Sequence, residues 1–98
     1  MKVDARLGLL GLARRARCTI DGEGQVLEAL KRNQPTVVFL ASDAGDNIQK
    51  KLHDKTHRAD VLLIDEFDTD TLSKAIGKTN RKAVAIIDAG FVEALKKY

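Results

Sequence analysis

The chain has 98 residues, 44% hydrophobic and 32% charged, which suits one modest core, is too short for two, and is too apolar for a disordered segment. A net charge of +3 and a pI near 9.2 favour a polyanionic partner without the charge density of a purely electrostatic binder. Aromatics at 4% argue against a stacking platform for single-stranded bases, no apolar run approaches the ~18 residues of a membrane span, and a single cysteine, Cys18, rules out an internal disulfide and fits a reducing, cytoplasmic compartment.

In chain order, Met1–Arg6 leads into Leu7-Gly8-Leu9-Leu10-Gly11-Leu12-Ala13, followed at once by Arg14-Arg15-Ala16-Arg17. The apolar stretch is short, glycine-broken and without a clean cleavage site, so it reads as the first helix of the mature fold rather than a signal peptide. Leu7 and Leu10 face inward; Arg6, Arg14 and Arg17 point out. Cys18-Thr19-Ile20 is a short extended piece in which Cys18 serves as a small, half-buried apolar residue. Asp21–Gly24 turns into an amphipathic helix reaching about Arg32, and Pro35 stops it by disfavouring helical geometry in the preceding residue. Thr36–Ala41 is a continuous apolar, β-branched run, the pattern of a strand buried on both faces.

A turn over Asp43–Asn47 precedes a polar helix from Ile48 to about Thr56. Asp60–Ile64 reads as a second buried strand. Thr69-Asp70 caps a short helix from Thr71 to Ile76 that Gly77 closes, and Lys82–Ile87 is a third buried strand. Asp88-Ala89-Gly90 turns into a last helix, Phe91 to Lys97. Buried strands alternating with helices predict a three-layer α/β/α sandwich, with residues 1–98 as one domain.

Three constellations could carry chemistry. Asp43, Asp65 and Asp88 each follow an apolar strand; at the carboxyl edge of a parallel sheet they could hold Mg²⁺ for phosphoryl transfer, or each could simply cap a turn or helix. His53 and His57 share a helix face at zinc-ligand spacing, but Asp54 stands where a metalloprotease has glutamate, and no third ligand is evident. The third is the basic set, which could be ordinary solvated charge and is most concentrated for a phosphate backbone at the glycine turn opening helix 2 with Arg32. Gly22 and Gly24 permit close approach of another backbone, and the amide groups of a helix start favour an anion such as a nucleic-acid phosphate. Asp21 or Gly22 is the expected N-cap. Lys31 and Arg32 lie in the last turn of that helix, and Lys50, Lys51, Lys74, Lys78, Arg81 and Lys82 supply further positive charge.

Leu9-Leu10-Gly11-Leu12-Ala13-Arg14-Arg15-Ala16, then Gly22 opening helix 2, then Val37–Ala44, resembles the small bacterial YlxQ-type branch of the ribosomal L-seven-Ae and L-thirty-e superfamily. Leu72–Lys78 is similar to that family's Leu-Gly-Lys-Ala-x-Gly helix, and Ala83–Asp88 to its final strand. The resemblance implies an L-thirty-e-like sandwich around a mixed, roughly four-stranded sheet. It also implies a cofactor-free, non-enzymatic protein that binds kink-turn RNA, with the ribosome as a candidate setting. A kink-turn is a sharply bent duplex with tandem sheared G·A pairs beside a bulge, and the bend opens a major groove that is ordinarily too narrow to read.

By that resemblance Gly22, Glu23, Gly24 and Gln25 approach the groove, with Gln25 placed to meet a guanine edge. Arg32 meets the backbone, with Arg14 and Lys31 as lesser contributors. The loop Ile64–Asp68 would cover the flipped base through Phe67. Three positions depart from the family pattern: Gly24 replaces asparagine or lysine, Glu28 replaces lysine, and Ser73 replaces glycine. Two readings from other classes compete, namely a Mg²⁺-dependent enzyme built on the strand-end aspartates and a protein-interaction adaptor without RNA affinity.

Overall fold

A computed structural model describes residues 4–98; the reading of Met1–Val3 lies outside them. Nine elements follow in order: α1 (Ala5–Arg15), β1 (Thr19–Asp21), α2 (Glu23–Leu30), β2 (Val37–Leu40), α3 (Asp46–Arg58), β3 (Leu62–Ile64), α4 (Thr69–Ala75), β4 (Ala83–Ile86) and α5 (Ala89–Lys96). The strands form one mixed sheet in the order β1-β4-β2-β3. Helices α2 and α3 pack together on one face, and α1, packed on α4 and α5, covers the other. The expected sandwich is therefore present.

The core sits where the apolar runs predicted. Every residue of β2 and β4 is buried, as central strands covered on both faces must be. Leu10 and Ala13 from α1, Val26 and Ala29 from α2, Leu52 from α3, Leu72 from α4 and Val92 and Leu95 from α5 close over them. With few aromatics, the packing is aliphatic around one ring, Phe39, which is fully buried.

Sheet polarity decides what meets what. β2 and β3 run parallel, whereas β4 is antiparallel to β2 with Val37 opposite Ile86 and Leu40 opposite Ala83. β1 is antiparallel to β4, with Asp21 opposite Val84, and so runs in the same sense as β2. One edge of the sheet thus collects the ends of β1, β2 and β3 and the beginning of β4.

Several element ends differ from the sequence reading, each for a local reason. Helix α3 begins at Asp46 and reaches Arg58, and Asp60, in a left-handed conformation at φ 55°, ends its turn instead of starting β3. Asp68, not Thr69-Asp70, caps α4, its Oδ1 accepting from the Thr71 amide at 2.8 Å. α2 ends at Leu30, with Lys31 as its C-cap. Arg6 does not point out into solvent: its guanidinium is tied to Asp4 at 2.9 Å and to Glu66, and lies 4.9 Å from the centre of the Phe67 ring.

Candidate nucleic-acid interface

The start of α2 is shaped by glycine. Gly22 is the N-cap at φ 98° and ψ 143°, a conformation open to essentially no other residue. Its N–H donates to the Ala83 carbonyl at 2.9 Å, continuing the β1–β4 pairing by one residue, and its carbonyl receives the Val26 amide. Glycine brings no side-chain cap. The next three amides, of Glu23, Gly24 and Gln25, precede any intrahelical acceptor and find no other among the described residues. Gly24 and Gln25 are exposed, and Gly22 and Glu23 are half-buried. The turn is open to an approaching ligand, with three donors and the positive end of the helix dipole directed outward.

Opposite this turn stands the segment joining α4 to β4. Gly77 at φ 67° and Asn80 at φ 52° take left-handed conformations that fold residues 77–82 back on themselves. The Lys78 amide bonds to Ser73 O at 2.8 Å, and the hydroxyl of Ser73, which is 2% exposed, receives the Arg81 amide at 2.8 Å. Because β4 is the neighbour of β1, this loop lies beside the start of α2. Together they form a cleft of about 660 Å³ lined by Asp21, Gly22, Glu23 and Gln25 on one side and Lys78, Asn80, Arg81 and Lys82 on the other. Sequence reasoning had these cations as part of a general basic set but missed the loop as one wall of the site, and missed Asn80 altogether. A motif-level signal existed only in the glycine closing α4; the adjacency comes from strand order.

Asp21 does not cap α2. Its Oδ1 accepts from Lys78 Nζ at 2.8 Å and its Oδ2 from Arg81 Nε at 2.5 Å. Burial works against its ionisation and is the largest single influence, yet the hydrogen bonds and charges of Lys78 and Arg81 prevail and hold the carboxyl below its usual range. The stability this carboxylate contributes is therefore present at neutral pH and lost as pH falls through the lowered value. Glu23 is answered by Lys51 at 3.2 Å. Around the cleft Lys51, Lys78 and Arg81 outnumber Asp21 and Glu23, a balance suited to phosphate.

A second, smaller groove of about 360 Å³ runs down the same side of α2, lined by Gly24, Gln25, Glu28 and Arg32 together with Ile20 and Ile87. These positions follow the helical repeat, so Arg32 lies in line with the glycine turn although it falls beyond the last helical residue. Glu28 stands between them with Lys31 3.2 Å away, both exposed, an ion pair of small worth. Lys31 itself lines a different groove, with Leu27, Leu30, Lys55 and Arg58. Arg14 lies on α1, beside Gly8, Gly11 and Gly77.

The structure does not bring Phe67 to the cleft. The loop after β3 is separated from β1 by both β4 and β2, three strand spacings or about 14 Å. The Phe67 ring instead packs on Phe39, centroids 6.5 Å apart, under the Arg6 guanidinium.

Nor do the three aspartates meet. Antiparallel β4 carries Asp88 to the far edge, where its Oδ2 accepts from the Phe91 amide at 3.0 Å as the N-cap of α5. Asp43 accepts from the amide and hydroxyl of Thr69 at 2.9 and 2.6 Å, and these bonds hold its carboxyl below the usual range. Asp65 faces His53 at 3.3 Å. Among the described residues no three metal-ligating side chains gather into a group that could hold an ion, and no helix is long and apolar enough to cross a membrane.

The mixed four-stranded sandwich is that of a known class, and the chain belongs to it: residues 4–96 match the ribosomal protein L7Ae/L30e/S12e/Gadd45 family. Within that family it is similar to the RNA-binding protein YlxQ of Bacillus subtilis, 37% identical over 89% of this chain and 87% of that one. It is also similar to the RNA-binding protein YlxQ of Enterococcus faecium, 34% identical over 93% and 87%. Among solved structures, a Bacillus halodurans protein of unknown function superposes with a TM-score of 0.88 at 41% identity, over 94% of this chain and 93% of that chain. The 15.5 kD RNA-binding protein of Giardia lamblia shares the fold, with a TM-score of 0.76 at 17% identity over 99% and 92%.

Proposed function

We propose that this protein is a non-enzymatic RNA-binding protein of the cytoplasm that recognises kink-turn or similarly bent RNA. The observation carrying this reading is the cleft itself: three amides without acceptors at a side-chain-poor helix start face a loop bearing Lys78, Arg81 and Lys82. The names of the Bacillus and Enterococcus relatives support RNA as the ligand class. Phosphate oxygens accept from the amides, the glycine turn lets the backbone come close, and Gln25 reaches a base edge where the bend has opened the groove. Arg32 lengthens the contact along α2. Loop 78–82 takes the flanking role that the sequence assigned to Ile64–Asp68.

The test is a titration of labelled kink-turn RNA against a straight duplex of equal length at several salt concentrations. Preference for the kink-turn is expected; equal affinities would remove shape recognition. Arg32→Ala should weaken kink-turn binding and lower the slope of log affinity against log salt by about one unit, as loss of one phosphate contact does. Glu28→Lys should tighten binding and steepen the same slope by about two units, since one anion leaves and one cation arrives. Co-sedimentation with ribosomal subunits would establish whether the RNA is ribosomal.

A further inference from the structure

The Asp21 carboxylate is 17% exposed and takes both of its partners, Lys78 and Arg81, from a segment 57 to 60 residues further along the chain. It stands immediately before the glycine that opens α2, so one side chain connects the two walls of the cleft. Further restraints on the loop come from α4, where Ser73 holds the Lys78 and Arg81 amides, and from β2, where the Ala41 amide donates to the Lys82 carbonyl.

We propose that Asp21 is a positioning residue of this site: it latches loop 78–82 to the start of α2 and, by pairing with two cations in the free protein, suppresses binding to unbent duplex.

The proposal rests on the RNA reading above and adds to it a source of selectivity. Two cations held in fixed places by a half-buried carboxylate present a defined pair of charges, which only an RNA of matching curvature can meet together with the α2 amides. The same two cations released would swing on flexible stems and find phosphate anywhere along a regular helix. The carboxylate also places a negative charge on the floor of the cleft, penalising ligands that do not make the full set of contacts. Lys82, the third cation of the loop, is directed elsewhere: its Nζ lies 3.3 Å from Thr69 Oγ1, so it does not substitute for either arm of the latch.

The experiment compares Asp21→Asn, Asp21→Glu and the parent protein. Amide hydrogen exchange of residues 78–82 in the RNA-free protein reads the latch alone. The ratio of kink-turn to straight-duplex affinity reads its consequence. Asp21→Asn should speed exchange in the loop, raise affinity for the straight duplex with a salt slope steeper by about one unit, and lower the ratio by about fivefold. Asp21→Glu, which keeps the charge, should recover most of the ratio. Unchanged loop exchange in Asp21→Asn, or an equal fall in both affinities, would overturn the proposal, the second outcome being what a merely structural role produces. Should the parent protein show no kink-turn preference, the RNA reading fails and selectivity with it, while the exchange data still report whether the latch exists. If Asp21→Asn proves too unstable, Arg81→Gln, on an exposed loop side chain, opens half of the latch and should show the same exchange signature.

Discussion

Gly22→Val is expected to lose most RNA binding and to melt several degrees below the parent. At φ 98° and ψ 143° Gly22 occupies backbone space that costs an L-residue about 1–3 kcal/mol, with a β-branched side chain at the upper end. For a domain of this size each kcal/mol lowers the melting temperature by roughly 4–8 °C. The penalty is conformational, since a Cβ at this position would meet nothing within 4 Å. Relaxing it rotates the peptide that carries the Gly22 N–H away from Ala83 O and turns the following amides out of line. Gly24 provides the contrast. It is helical, with open space around it. Gly24→Ala should therefore raise stability by about 0.4–1 kcal/mol, chiefly by reducing the freedom of the unfolded chain, while the added methyl group stands in the approach path and weakens RNA binding. Calorimetric melts paired with anisotropy titrations check both variants. Unchanged RNA affinity in Gly24→Ala would mean that close approach occurs somewhere other than this turn.

The largest loss of stability is expected from Phe39→Ala. Phe39 is fully buried in the middle of β2, among the described residues the one fully buried ring in a mostly aliphatic interior, and it backs the Phe67 ring. Truncation of a buried phenylalanine costs about 3–5 kcal/mol, a large part of the roughly 5–15 kcal/mol that holds a small domain folded. Urea denaturation should show a lower midpoint at unchanged m-value, because the surface exposed on unfolding barely changes. RNA preference measured on the folded fraction should persist, since β2 lies behind the cleft rather than in it. A loss under about 1 kcal/mol would mean that the neighbouring aliphatic side chains collapse into the space.

The apolar, β-branched runs at Val37–Leu40 and Ala83–Ile86 announced two central strands because a segment covered on both faces must be apolar throughout. That same uniformity concealed their relative direction. A buried strand reads alike whether its neighbour runs with it or against it, so Asp88 was assigned to the edge that holds Asp43 and Asp65 when β4 delivers it to the other. The glycine turn was legible since positive φ selects glycine almost by itself. Loop 78–82 was not, because its place beside Gly22 depends on β4 pairing with β1, a contact between distant parts of the chain. Ser73 shows a smaller case. As a departure from the family's glycine it carried no meaning in one dimension; in the fold its hydroxyl anchors the Arg81 amide. The family resemblance places Phe67 over a ligand base, and its packing against Phe39 could not be read without knowing that β3 pairs with β2 and brings the following loop beside Phe39.

Strand β1 has a further consequence for how the molecule comes into being. Its partner in the sheet is synthesised more than sixty residues later, so a growing chain holds Gly22 and the head of α2 well before the strand that pairs with β1 exists. Helices and the β2–β3 pair can form from near neighbours, whereas closing β1 onto β4 joins residues more than sixty positions apart and costs more loop-closure entropy. A nascent chain that stops short of β4 therefore holds the head of α2 without its opposite wall, and the cleft takes shape only once β4 has been made.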